Sequence, residues 1–166
     1  MIDINLRPLT IEDARVSVKW RNNPKIWEYT GSRPDHEISF AEEHDWLARV
    51  LLNSNEKRFA ICLTESDQYI GNVQLTNIDK ISAEFHIFIG CASMWGKGIG
   101  KAATKLMLEY GFTVLGLEEI NLSVKKNHLV AVGLYEGIGF SGVGMMDKHS
   151  LKMVCKSSNY LEHRHN

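Results

Sequence analysis

The amino-acid sequence predicts an α/β protein, and three observations carry that prediction. Between residues 59 and 89, three apolar-alternating runs are separated by short polar turns, the pattern of an antiparallel meander. Helical periodicity marks Phe40, Leu47, Val50 and Leu51, and again Ile99, Ala102, Ala103, Leu106, Met107 and Tyr110. A glycine-dense turn, Trp95-Gly96-Lys97-Gly98-Ile99-Gly100, joins the last meander strand to the second of these helices.

Taken in order, Ile4-Asn5-Leu6-Arg7 alternates as a short first strand. Thr10 caps a helix whose first turn is acidic, and Asn22-Asn23-Pro24 ends it, because the residue before proline is pushed out of the α region. Residues 25–38, with Gly31 and Pro34, read as irregular. Ser39 and Glu42 form a capping box that opens a helix running to about residue 52, where Asn53-Ser54-Asn55 breaks it. The meander follows, with Phe59, Ile61 and Leu63, then Tyr69, Gly71, Val73 and Leu75, then Ala83, Phe85, Ile87 and Ile89. Beyond the helix after the glycine turn come a strand at 119–124, a helix from His128 to Ile138 closed by Gly139, and a hairpin from Phe140–Val143 and Leu151–Cys155.

The chain has 166 residues, which fits one domain spanning 1–166, since domains run to about 100–200 residues. With 44% hydrophobic and 23% charged residues it has an ordinary globular composition. A net charge of -1 gives no reason to expect a nucleic-acid or anionic-membrane partner. Cys62, Cys91 and Cys155 form neither a disulfide framework nor a CxxC pair, and HExxH is absent. The only HxH spacing is His163-Arg164-His165 at the C-terminus, so no metal site is expected. Asp3 and Arg7 interrupt any apolar signal core, and no stretch approaches the roughly 18 apolar residues that span a bilayer, so a cytoplasmic address is expected.

The glycine turn opens a helix after a strand, where unpaired amides and the helix dipole make an anion site. Lys97 and Lys101 add positive charge. A P-loop needs four residues between its glycines and Ser or Thr after the lysine. Here five residues separate Gly90 from Gly96, and Gly98 follows Lys97. A dinucleotide fingerprint is GxGxxG. Gly96, Gly98 and Gly100 place the third glycine one position early.

The turn instead resembles the acetyl-CoA loop of the GNAT superfamily, written Q/R-x-x-G-x-G/A, with Gly98 and Gly100 at the glycines and Trp95 at the Q/R position. That departure is similar to a branch containing ribosomal-protein-alanine and nucleotide-sugar acetyltransferases. Asn127, Leu134-Tyr135-Glu136 and Gly139-Phe140 resemble the family's N…LYE…GF segment, and the likeness covers nearly the whole chain. The resemblance implies a mostly antiparallel sheet of six to seven strands flanked by about four helices. It implies acetyl-CoA as co-substrate and a primary amine as acceptor.

It also implies roles for particular residues. Amides near Phe88, Ile89 and Gly90, on a strand splayed from its neighbour, would hold the pantetheine arm and polarise the thioester carbonyl. Trp95, Gly96, Lys97, Gly98, Ile99, Gly100 and Lys101 would form the pyrophosphate loop, and Asn127 would contact the cofactor or serve as a helix cap. Tyr135 is the candidate general acid, since a phenol with a reference pKa of about 10 protonates a thiolate without being ionised at neutral pH. Glu84 and His86, two apart on a strand and therefore on one face, are the candidate bases. Trp20-Arg21-Asn22-Asn23-Pro24 resembles acetyltransferases acting on amino-sugar nucleotides, so Trp20, Arg21 and Asn22 are candidate acceptor contacts. Packing, a salt bridge and a helix cap are the alternatives there.

The expected activity is N-acetylation of a small amine, with an amino-sugar nucleotide as one acceptor class and a protein N-terminus as another. A CoA-binding module without catalysis and a nucleotide-binding protein are the rivals. The expected oligomeric state is a monomer or homodimer.

Overall fold

The computed structural model describes residues 1–30 and 33–164. Gly31, His165 and the side chain of His163 lie outside the described residues. Among the described residues seven strands form one sheet, in the order β1-β2-β3-β4-β5-β7-β6. They are β1 (Ile4–Pro8), β2 (Lys57–Leu63), β3 (Tyr69–Thr76), β4 (Ser82–Ile89), β5 (Glu119–Lys125), β6 (Ser141–Met145) and β7 (Ser150–Lys156). All pairings are antiparallel except β4 with β5. The expected mixed, mostly antiparallel sheet is therefore present.

The described residues form six helices, two more than the periodicity predicted. These are α1 (Ala14–Arg21), α2 (Pro24–Thr30), α3 (Phe40–Val50), α4 (Ile99–Glu109), α5 (Leu129–Ile138) and α6 (Ser157–His163). Pro24 ends one helix and opens the next: proline suits a first helical turn because that turn's N–H has no intrahelical partner. The Asn23 carboxamide oxygen accepts from the Lys25 amide at 3.0 Å, which fixes this restart. Residues 24–30 thus correct the irregular reading. The capping box at Ser39 forms as expected, with Glu42 N–H donating to Ser39 Oγ at 3.1 Å and Ser39 N–H to Glu42 Oε2 at 2.7 Å. The expected helix at Thr10 begins instead as a 3-10 turn, Ile11–Asp13, before α1.

The sheet is covered on both faces, which explains the apolar residues on both sides of β2. One core packs Ile61, Val73, Leu75 and Phe85 against Ile99, Ala103 and Met107 of α4. The other packs Ala60, Cys62 and Tyr69 against Trp20 of α1 and Leu47 of α3, with Phe88 alongside. Strand β4 alternates between them: Ala83, Phe85, Ile87 and Ile89 face α4, and Phe88 faces α1.

Candidate active site

The parallel pairing of β4 with β5 covers only Ser82↔Glu119, Ala83↔Ile120 and Glu84↔Asn121. Beyond Glu84 the two strands part, while β4 stays paired to β3 as far as Gly71↔Ile89. The Gly90 N–H donates to the Ile70 carbonyl at 2.8 Å, on the β3 side. Because peptide groups alternate along a strand, the Ile89 N–H and carbonyl face the other way, into the gap left by β5. Ile89 thus offers a donor to the gap and Gly90 does not, which sharpens the expectation for Phe88, Ile89 and Gly90. Gly90 serves packing: a Cβ there would lie 2.0 Å from Trp20 Cδ2.

On the α4 side of β4 lies a groove of about 230 Å³, floored by Ile87 and Ile89 and walled by Leu134 and Tyr135 of α5. Trp95, Gly96, Gly98, Gly100 and Lys101 form its mouth. Gly96 (φ +71°) and Gly98 (φ +82°) take left-handed conformations that favour glycine. A Cβ built on Gly98 or Gly100 would meet nothing within 4 Å, so the space over the loop is open. Gly98 is the N-cap of α4 and brings no side-chain cap to the first amides, which leaves them to an anion. An apolar groove with an amide-lined, lysine-flanked mouth fits a pantetheine arm ending in a pyrophosphate. Ile99 is buried in the core at the edge of the groove, and Lys97 is exposed and does not line the groove.

Tyr135 stands edge-on to Phe85 (centroids 6.4 Å apart) and to Phe140 (5.6 Å), with its ring lining the groove. Asn127 does not take the helix-cap position. The N-cap of α5 is His128, and Asn127 lies in a separate polar hollow with Lys125, Asp147 and His149. The chain at the start of α5 turns so that His128, one residue on, lines the groove instead.

Glu84 and His86 share a face as their spacing requires, on the α1 side of β4. His86 Nε2 lies 3.5 Å from Glu84 Oε1 and 3.2 Å from Thr76 Oγ1, and Asn77 Nδ2 donates to Glu84 Oε2 at 3.0 Å. On this face a second hollow, of about 210 Å³, is bounded by α1, α2, α3 and strands β2 to β4. Trp20 is only 8% exposed and packs on Tyr69 and Phe88 at 4.7 and 5.7 Å, so it supports the hollow more than it opens into it. Asn22 lies outside the lining: its carboxamide is spent on the backbone of Ile38, donating to the carbonyl and accepting from the N–H, both at 2.8 Å. Arg21 does line the hollow, and its guanidinium donates to Glu43 Oε2 at 3.0 Å.

Glu43 is buried, and its other oxygen accepts from Ser17 Oγ at 3.0 Å. Trp46 lies beneath two guanidinium groups, Arg21 at 5.7 Å and Arg58 at 5.4 Å from its ring. Arg58, Asn72 and Gln74 complete the lining and carry no motif in the sequence. Alternation along β2 and β3 marks their faces, but only the packing of α1 and α3 above them makes a hollow. Among the described residues no cluster of metal-ligating side chains occurs, and no helix is long and apolar enough to cross a membrane.

A glycine-lined helix start beside a split between parallel strands, with a groove on one side and a hollow on the other, is the arrangement that the resemblance of the glycine turn to an acetyl-CoA loop implied. A family model described as an acetyltransferase (GNAT) domain matches residues 3–141, and the chain belongs to that family. It is an acetyl-CoA-dependent N-acetyltransferase. Spermidine N(1)-acetyltransferase of Escherichia coli (strain K12) is 35% identical over 144 residues, 85% of this chain and 74% of that protein. Acetyltransferase PseH of Campylobacter jejuni is 26% identical over 132 residues, 80% of this chain and 79% of the relative. The crystal structure of spermidine N-acetyltransferase from Vibrio cholerae in complex with CoA and spermine superposes with a TM-score of 0.84 at 31% identity, covering 95% of this chain and 98% of that one.

Proposed function

We propose that acetyl transfer takes place in the gap where β4 leaves β5, with the acyl donor in the α4–α5 groove and a small primary amine entering from the α1–α3 hollow. One observation carries this reading: Ile87 and Ile89 line the groove while Phe88, between them on the same strand, lines the hollow. The two spaces therefore approach each other across one strand. Acetyl-CoA supplies an activated thioester acyl group. The Ile89 N–H supplies a hydrogen bond to the carbonyl oxygen as charge develops there. Tyr135 donates a proton to the departing sulfur, and the Glu84–His86 pair, on the hollow's face of β4 but outside its lining, receives through water the proton released by the amine.

The favoured acceptor is an amino sugar on a nucleotide carrier. Glu43 is the only carboxylate among the described residues lining the hollow, and both of its oxygens are engaged. A polycation would meet two guanidinium groups there and no spare carboxylate. A phosphate would meet Arg21, whose side chain is 43% exposed. A polyamine acceptor is the second reading, supported by the activity named for the Escherichia coli relative and the spermine bound in the Vibrio cholerae structure.

Thiol release from acetyl-CoA, measured against amino-sugar nucleotides, spermidine, spermine and an N-terminal peptide, tests these readings together. The highest kcat/KM is expected with an amino-sugar nucleotide, and Arg21→Ala lowers it by roughly tenfold, the value of about one charge-assisted hydrogen bond. Preferential turnover of spermidine would replace the acceptor assignment. CoA binding without turnover of any amine would make the protein a binding module.

A further inference from the structure

The position that the family motif gives to Gln or Arg is Trp95 here, and its indole Nε1–H donates to the Ile89 carbonyl at 2.8 Å. That carbonyl belongs to the same peptide group as the Gly90 N–H, which donates to Ile70 on the opposite side. The Ile89–Gly90 peptide is thus held at both ends. One tie runs to β3 and the other to the glycine loop. The neighbouring Phe88–Ile89 peptide is the one whose N–H faces the gap, and its orientation follows from the clamped peptide next to it. A strand edge without a partner has carbonyls and amides free to tilt. The route of the chain makes the tie possible: after β4 a 3-10 turn, Ala92–Met94, folds back, and Trp95 leaves it in extended conformation (φ −69°, ψ 147°).

We propose that Trp95 is a positioning residue: its indole N–H fixes the unpaired edge of β4 so that the Ile89 N–H is aimed at the acyl carbonyl. Trp95 thereby couples the loop that holds the pyrophosphate to the donor that acts on the thioester. This rests on the acetyl-CoA reading of the groove.

Trp95→Phe keeps the ring and removes the donor. Turnover is expected to fall about tenfold or more, as misplacement of a catalytic group does. Acetyl-CoA KM and calorimetric CoA affinity stay within about threefold, a shift of roughly 0.7 kcal/mol or less. In the cofactor-free protein, NMR is expected to find the Trp95 indole proton protected from solvent exchange, and the Ile89 and Gly90 amides shifted in the variant. Unchanged turnover in Trp95→Phe overturns the proposal. So does a loss of CoA affinity with turnover retained, which would make the indole a wall of the groove only. Should the variant fail to fold, rapid exchange of the wild-type indole proton overturns it as well. A wild type that binds no CoA would overturn the groove reading and this proposal with it, a result separate from the others.

Discussion

A Cβ on Gly90 would stand 2.0 Å from Cδ2 of Trp20, so the end of β4 and the end of α1 meet at a point where only a hydrogen fits. Trp20 is consequently wedged among Gly90, Tyr69 and Phe88, and the gap edge of β4 is backed by an aromatic core. Gly90→Ala is expected to lower stability by about 1–3 kcal/mol through overpacking. Thermal unfolding measures it. An unchanged melting temperature would mean that the indole yields without cost.

Tyr135 tests the chemistry apart from binding. Tyr135→Phe keeps the edge-on contacts with Phe85 and Phe140 and deletes only the hydroxyl. Turnover is expected to drop by roughly 10²-fold or more with acetyl-CoA affinity preserved, the signature of a lost general acid. Steady-state kinetics alongside calorimetry resolve the two quantities. Full activity in the phenylalanine variant would remove Tyr135 from the mechanism.

The loop is tested at Gly98, which combines φ +82° with open space above it. Valine there meets backbone strain of about 1–2 kcal/mol and fills the approach to the α4 amides. CoA binding is expected to weaken by at least about tenfold, or ~1.4 kcal/mol. A folded Gly98→Val protein with wild-type affinity would contradict the anion-site assignment.

Stability toward acid depends on Asp13. Burial works to raise its pKa, but the Arg7 guanidinium (2.7 and 2.8 Å) and the Thr10 N–H (2.8 Å) outweigh burial and hold it below the ordinary value. A carboxylate lowered in the folded state stabilises above its unfolded pKa of about 3.9, and that contribution is lost as pH falls through the folded value. Asp13→Asn is therefore expected to cost about 1–3 kcal/mol at neutral pH, with the difference from wild type shrinking as pH falls below the unfolded value. Melting temperatures at several pH values decide it. A constant difference would separate Asp13 from acid unfolding.

Elements with strong internal periodicity were legible in the sequence. The meander, the capping box at Ser39 and Glu42, α4 and its glycine loop all formed where alternation, helical spacing and glycine spacing put them. Two helices were not legible. Helix α2 follows a proline that reads equally as a stop or a start, and α6 is short and polar, Ser157–His163, held where Tyr160 packs into the α4-side core.

The candidate site divides the same way. By itself the sequence determined an antiparallel meander, a glycine-opened helix start after the fourth strand, Tyr135 on the following helix, and Glu84 with His86 on one strand face. Each of these depends on spacing within a single element. Tertiary structure alone decided that Asn22 is spent on Ile38, that Trp20 is wedged against Gly90, that His128 lines the groove while Asn127 does not, and that Arg58 joins Arg21 over Trp46. It also decided that the Trp95 indole ties the β4 edge at Ile89. Those relationships join residues from different elements, and they depend on where β4 parts from β5 and how α1 and α3 cross the sheet. Local periodicity carries no information about either.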